Sequence, residues 1–252
     1  MLINSYPKIN LCLLIGKKKK GKHKIKSIFL KVQSIWDTLQ IEENDYQKDE
    51  INYFDKTNKK INIENCILIK TLNVLRDNKI LKNVFFKIIV TKNIPLRAGL
   101  GGGSSNSGNL IKFLIDNKYL KKKISKKLIS FIGSDVMFFV KDFKVAKVYG
   151  YGEKVKEIKV NNLPNIEIID TKIKCSTKEI FKIYDKNENK IKNNFNNQLK
   201  YFKDRKYNFL INELESSIYK YSPELQKKVS ELQKTYKVFV SGSGGTCFRI
   251  KE

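Results

Sequence analysis

The stretch Gly99-Leu100-Gly101-Gly102-Gly103-Ser104-Ser105-Asn106 constrains this chain more than any other. It carries four of the chain's 13 glycines. An extended apolar run, Val84-Phe85-Phe86-Lys87-Ile88-Ile89-Val90, precedes it, and a helix-like stretch, Asn109 to Ile115, follows it. A strand, a glycine-rich loop and a helix with Ser-Ser at its entrance form the layout of a phosphate cradle. Glycine lets the backbone bend and lets its N–H groups approach an anion closely. The first turn of the helix adds unpaired N–H donors and the positive end of its dipole. A flexible linker would be longer and flanked by polar residues. No Gly-Lys-Ser/Thr closes the loop, so it is not a Walker P-loop, and its spacing is not that of a dinucleotide fingerprint.

At 252 residues the chain can hold one large core or two modest domains. Its 41% hydrophobic content, with 15 Phe and 12 Tyr, excludes a disordered chain. No apolar run reaches the length of a membrane span, and Met1 to Lys8 lacks the layout of a signal peptide. The expected location is therefore the cytoplasm, or the plastid stroma in a plastid-bearing organism. Cys12, Cys66, Cys175 and Cys247 are scattered and form no CxxC pair, which fits reduced thiols and gives no zinc signature. The formal charge of +26 raises the question of nucleic acid. Of 51 basic residues, however, all but Arg76, Arg97, Arg205 and Arg249 are Lys. Base-edge readout favours arginine forks, and RNA modules set exposed aromatics beside their basic residues. Here the lysines run along the whole chain among many Asn and Ile, the pattern of an A/T-rich genome. Lys17 to Lys20 and Lys121 to Lys123 read as solvated turns. No nucleic acid or membrane partner is expected; the alternative of a basic nucleic-acid-binding protein predicts salt-sensitive affinity with a steep slope, whereas dispersed lysines predict a weak, non-specific response.

Residues 7–15, 25–35 and 38–41 read as strands, and 42–60 as a polar loop or ragged hairpin. Asn65 is placed to cap a helix running to about Asn78, with Ile67, Leu68, Leu72 and Leu75 on its apolar side. A strand at 83–91 leads into the glycine loop. Helices follow at about 104–116 and 124–132, then short strands at 136–140, 143–149 and 165–170. Helices are expected at 177–185, 208–220 and 223–235, with a polar stretch at 186–206 between the first two. The chain closes with a strand at 237–240, a loop Ser241-Gly242-Ser243-Gly244-Gly245 and a strand at 246–250. A boundary near 155–163 divides a larger α+β half from a smaller one.

The segment Pro95 to Asn106 resembles the phosphate loop of the GHMP small-molecule kinases, and its triple Gly followed by Ser-Ser is similar to that of the 4-diphosphocytidyl-2-C-methyl-D-erythritol kinases. Other segments agree in order. Tyr6-Pro7-Lys8-Ile9-Asn10-Leu11 resembles the family's N-terminal strand, Gly21-Lys22-His23 its Gly-Tyr-His turn, and Asn65-Cys66-Ile67-Leu68 its Asn-Leu-Ile helix start. Gly133-Ser134-Asp135-Val136 resembles its Gly-Ala-Asp-Val segment, Cys175-Ser176-Thr177 its Val-Ser-Thr, and Asn212-Glu213-Leu214-Glu215 its Asn-Asp-Leu-Glu. Ser241 to Gly244 resembles its last glycine loop. Lys22 departs from the pattern, since it stands where the family has a Tyr that would stack on cytosine.

The resemblance implies a two-domain α+β GHMP kinase fold. Residues 1–158 would form a nucleotide domain like ribosomal protein S5 domain 2, and residues 159–252 a smaller, shortened, ferredoxin-like substrate-side domain. It implies phosphorylation of the 2-hydroxyl of 4-diphosphocytidyl-2-C-methyl-D-erythritol by ATP, with Mg²⁺ arriving on the nucleotide, in a monomer or weak homodimer. Another GHMP kinase, of the mevalonate or homoserine type, is the alternative within the fold. Carried onto this sequence, Asp135 is the general base and Lys8 stabilises the transferring phosphoryl group. Gly99, Leu100, Gly101, Gly102 and Gly103 form the cradle, and Ser104 and Ser105 offer hydroxyls to phosphate or Mg²⁺ rather than a dedicated metal site. Asn65, Lys92 and Pro95 fall to the adenine pocket. Asn10, His23, Ser176, Thr177, Ser241 and Gly242 fall to the acceptor, with His23 against the cytosine edge and Tyr6 or Phe181 as a replacement for the missing aromatic face.

Overall fold

The computed structural model describes residues 1–19, 21–186 and 193–251. Its N-terminal part runs β1 (Leu2–Ser5), β2 (Lys8–Lys19), β3 (Lys22–Lys31), β4 (Asp37–Glu43), β5 (Glu50–Asp55), β6 (Lys60–Ile61), α1 (Ile67–Asp77), β7 (Phe86–Lys92), α2 (Gly102–Asp116), α3 (Lys126–Ile132), α4 (Val136–Lys141), β8 (Val145–Gly150) and β9 (Lys154–Glu157). There follow β10 (Asn165–Asp170), α5 (Thr177–Asp185), α6 (Phe195–Lys203), a 3-10 turn at Tyr207–Phe209, α7 (Glu215–Tyr221), α8 (Pro223–Gln233), β11 (Val238–Val240) and β12 (Thr246–Lys251).

The strands form three sheets, ordered β1-β4-β7-β5-β6, β2-β3-β8-β9 and β10-β12-β11. Along β7, Phe86, Ile88 and Val90 are buried and alternate with more open positions, so one face of the first sheet packs on Leu68, Leu72 and Leu75 of α1 and Leu110, Ile111 and Leu114 of α2. β5 and β7 are parallel, and α1 lies in the crossover that a parallel pair requires. The second sheet is covered on both faces. Phe29, Ala146 and Val148 meet Phe138 and Phe139 of α4, while Ile9, Ile28 and Leu30 join Phe195, Leu199, Phe202 and Phe248 of the C-terminal part. Ile180, Leu214, Ile218, Leu225, Val229, Val240 and Cys247 bind the C-terminal helices to the third sheet.

Several local expectations change. Residues 136–140, read as a strand, form α4, in which Val136, Met137, Phe138 and Phe139 are all buried. An unbroken apolar run cannot be assigned to helix or strand by periodicity. Of the loop or ragged hairpin expected over 42–60, the hairpin is found: β5 and β6 pair antiparallel, Tyr53 opposite Ile61 and Phe54 opposite Lys60. The helix expected from 208 starts only at Glu215, because residues 211–213 run alongside β2, with Leu13 N–H donating to Ile211 O and Glu213 N–H to Leu13 O, each at 2.9 Å. Within the expected polar stretch, α6 buries Phe195, Leu199 and Phe202 on one face. Residues 187–192 of that stretch, and Lys20 of the basic turn, lie outside the described residues. Asn65 does not cap α1: Cys66 holds that position, without a side-chain cap bond, and Asn65 takes φ +54°. Among the described residues no helix is long and apolar enough to cross a membrane.

Candidate active site

β7 delivers the chain into the glycine loop, and α2 leaves it. Gly99 and Gly101 have φ of +75° and +68°, left-handed values that a side chain would strain. The first bond of α2 runs from Ser105 N–H to Gly101 O at 2.8 Å. The N–H groups of Gly102, Gly103 and Ser104 precede it and have no acceptor among the described residues. They open on a cavity of about 350 Å³ that is also lined by Asn65, Lys92, Pro95, Leu96 and Arg97. A Cβ on Gly102 would stand 2.9 Å from Ile94 Cγ2. In the cavity wall Asn106 keeps a buried side-chain oxygen without a partner among the described residues.

Beneath the cavity Asp37, fully buried, takes four donors. They are the Lys92 ammonium, Asn106 Nδ2 at 3.1 Å and the backbone N–H groups of Asn93 and Ile94, each at 2.9 Å. This carboxylate ties β4 to the entry of the loop, and it commits the Lys92 charge. Ser104 lines the cavity, whereas Ser105 does not. The Ser105 hydroxyl is buried, meeting Ser5 Oγ at 2.7 Å and donating to Tyr6 O at 2.6 Å. It anchors α2 on β1 and is not placed to meet phosphate.

Lys8 and Asp135 come together across the loop, their nearest atoms 3.4 Å apart. The same ammonium donates to Asn10 Oδ1 at 2.7 Å and to Gly99 O at 3.1 Å. It lies 4.6 Å from the centre of the Phe29 ring. Asn10 in turn donates to Ser27 Oγ at 2.9 Å, and the β2–β3 register shifts just beyond it. Lys8 is nearly fully buried, while a fifth of the Asp135 side chain is exposed. Asp135 opens α4, and Gly152 lies so close behind it that a Cβ there would reach 2.4 Å from Ser134 O.

The C-terminal glycine loop lies on the phosphate loop. A Cβ on Gly99 would meet Ser241 O at 2.8 Å and Gly244 O at 2.9 Å. Ser241 Oγ accepts from Asn10 N–H at 3.2 Å, and a Cβ on Gly242 would stand 2.9 Å from Asn10 Oδ1. Asn212 holds the loop by donating to Val240 O at 3.1 Å and Gly242 O at 2.8 Å. The hydroxyls of Thr177 and Ser243 meet at 2.6 Å, while Ser176 caps α5. His23 is placed differently from the expectation. Its Nδ1 faces Gly16 O at 2.9 Å and its Nε2 faces Asp185 Oδ1 at 2.6 Å, so neither nitrogen is left for a base edge. Its ring stacks on Phe181, with centres 5.4 Å apart. Tyr6, the other candidate aromatic, leans on Trp36 instead. Burial works against the Asp185 charge, but Lys18 and His23 outweigh it and hold the carboxyl below its usual range. Burial pushes the Cys12 and Cys247 thiols up to about 12, which leaves them unreactive.

No protein-family model matches the chain. A 4-diphosphocytidyl-2-C-methyl-D-erythritol kinase of Ureaplasma parvum is 31% identical over 255 residues, covering 100% of this chain and 96% of that one. The kinase of the same name from Pelagibacter ubique is 35% identical over 250 residues, covering 97% and 86%. The chain belongs to the 4-diphosphocytidyl-2-C-methyl-D-erythritol kinase family. A solved 4-(cytidine 5'-diphospho)-2C-methyl-D-erythritol kinase shares its fold, with a TM-score of 0.78 over 100% of this chain and 90% of the other at 22% identity. A mevalonate kinase matches less closely, at 0.59 and 18% over 100% and 91%. The architecture is thus the two-domain α+β one of the GHMP kinases. Within this family's site, sequence reasoning missed Asp37, Asn106, Asn212 and Gly108. Asn106 and Asn212 lay in segments already matched to the family but were given no role; the roles of Asp37 and Gly108 depend on contacts between distant segments.

Proposed function

We propose that the chain transfers the γ-phosphoryl group of ATP to the 2-hydroxyl of 4-diphosphocytidyl-2-C-methyl-D-erythritol, giving the 2-phosphate and ADP for isoprenoid precursor synthesis. The observation that carries this reading is the Lys8–Asp135 pair at the end of a glycine cradle whose Gly99 carbonyl the same ammonium holds. The unpartnered N–H groups at the start of α2 and the orphaned Asn106 oxygen suit a nucleotide, the first for phosphates and the second for a donor on its base or sugar. Residues 1–158 would hold it and residues 159–252 would close the acceptor side. The protein would work in the cytoplasm or plastid stroma, as a monomer or weak homodimer, without nucleic acid or membrane.

Phosphoryl transfer asks chiefly for positioning and charge stabilisation. Gly101, Gly102, Gly103 and Ser104 would hold the phosphates by backbone N–H groups. Mg²⁺ bound with the nucleotide would supply further neutralisation of the phosphate charge, and of the Ser-Ser pair it is Ser104 that lines the cavity and would offer it a hydroxyl. Asp135 would orient the acceptor hydroxyl and receive its proton as the new O–P bond forms and the bond to the ADP oxygen breaks. Lys8, fixed by Asn10 and Gly99, would stand beside both and offset the charge on the transferred group. Thr177, Ser241 and Gly242 would line the acceptor side, Asn10 would act there through Lys8, since both ends of its amide are bonded to Lys8 and Ser27, and Phe181 with His23 would form the aromatic wall. A coupled ADP-release assay with the diphosphocytidyl compound, mevalonate and homoserine tests the reading. Turnover with the first alone supports it, and turnover with either of the others in its place overturns the substrate.

A further inference from the structure

Arg97 stands apart from the other three arginines. Arg76 pairs with Asp49 and donates to Val84 O at 2.8 Å. Arg249 donates to Glu167 and covers the Tyr236 ring at 4.0 Å. Arg205 meets the side-chain oxygen of Asn162 at 2.9 Å. Arg76 and Arg249 use the planar fork or flat face that an ammonium lacks. In a chain whose basic positions are otherwise Lys, an arginine marks a place where that geometry matters. The guanidinium of Arg97 has no partner among the described residues. Arg97 is exposed, lines the cavity and holds φ +56°, a conformation costly for a residue with a side chain. Its backbone is fixed from behind, since a Cβ on Gly245 would lie 3.4 Å from its carbonyl oxygen. The charges around the cavity complete the case. Lys92 is the other cation lining it and is committed to Asp37, while Lys8 is committed to Asp135. Of the two cations that line the cavity, Arg97 is the one left without an acidic partner among the described residues.

We propose that Arg97 is a specificity-determining residue of the nucleotide site, its guanidinium forking onto the polyphosphate of the bound nucleotide. This rests on reading the cavity as the ATP site. The test is equilibrium titration calorimetry of the parent, Arg97→Ala, Arg97→Lys and Arg97→Gly with Mg·ATP, ADP and adenosine. Loss of a charge-assisted fork weakens ATP about ten- to a hundredfold in the Ala and Gly variants, and Lys restores only part of it. Because glycine suits φ +56°, equal losses in Arg97→Gly and Arg97→Ala assign the effect to the side chain rather than to backbone strain. The loss shrinks for ADP and is absent for adenosine. Unchanged ATP affinity overturns the proposal, and so does an equal loss for adenosine, which would place the guanidinium against the base. Gly102→Val separates this from the underlying reading. Its side chain would collide with Ile94 and block the cradle, so ATP binding is lost if the cavity is the nucleotide site. If Gly102→Val binds ATP normally, the cavity reading and the proposal both fall; if it does not bind while Arg97→Ala does so normally, only the proposal falls.

Discussion

Asp135 occupies the N-cap of α4 yet makes no cap bond to it. A carboxylate at that position ordinarily accepts from its own helix; this one faces Lys8, as a group kept for another partner would. Asp135→Asn removes the proposed proton acceptor but keeps the shape. Turnover is expected to fall on the order of a hundredfold or more, with nucleotide affinity, measured by titration, unchanged. Near-parent turnover would remove Asp135 from the base role. On the proposed acceptor side, His23 and Asp185 act as one unit, because each is the other's partner. His23→Ala and Asp185→Asn should each raise the acceptor KM and leave the ATP KM alone. The double variant should be no worse than the worse single one, since both break the same contact. Additive losses would show that His23 touches the acceptor independently of Asp185.

At the level of elements, the approach of α2 to α4 sets the distance between the glycine loop and Asp135, the proposed base. Gly108 permits it: a Cβ there would lie 2.4 Å from Phe139 Cβ and 3.1 Å from Val140 N. Intrinsic propensity favours Ala over Gly inside a helix by about 1 kcal/mol, but overpacking at such a contact costs about 1–3 kcal/mol. The clash is with the body of a neighbouring helix, which cannot rotate away as a side-chain tip could, so overpacking wins. Gly108→Ala should lower the denaturation midpoint and, by shifting the start of α4, reduce kcat more than it weakens ATP. A stabilised variant with full kcat would show that the two helices are free to part.

Over the whole molecule, 51 basic residues face 25 acidic ones, so each paired carboxylate offsets self-repulsion. Asp142 joins Lys31 of β3 to Lys112 of α2. Burial works against its charge, yet the two ammonium groups hold its carboxyl below the ordinary value of 3.8. A folded-state value depressed in this way stabilises the fold fully above the unfolded value, and the benefit disappears as pH falls through the folded one. Half the side chain is exposed, so solvent screens the pair and the effect is modest. Thermal midpoints of the parent and Asp142→Asn should differ at neutral pH, with the parent higher, and converge as pH drops below about 4. A gap that persists unchanged in acid would mean that the ion pairs contribute nothing.

What the sequence determined by itself is local or carried by short motifs. The cradle is a contiguous run whose glycines and following helix state their own geometry, and Lys8 and Asp135 could be paired because each sits in a motif with a fixed place in the family. The apolar run of β7 and the apolar face of α1 were likewise legible, since each is set by residues close together in the chain. What the tertiary structure alone decided depends on neighbours far along the chain. An apolar run at 136–140 is a helix because α2 and the second sheet close around it. Residues 211–213 stay extended because β2 offers them backbone partners. The Ser105 hydroxyl serves β1 and the Lys92 charge serves Asp37, so two residues read as ligand contacts have their polar groups spent on the fold. His23 turns both nitrogens to partners that include a residue 162 positions away. A side chain's hydrogen-bonding capacity is known from its type; whether a ligand or the protein takes it up depends on which partners folding brings within about 3 Å.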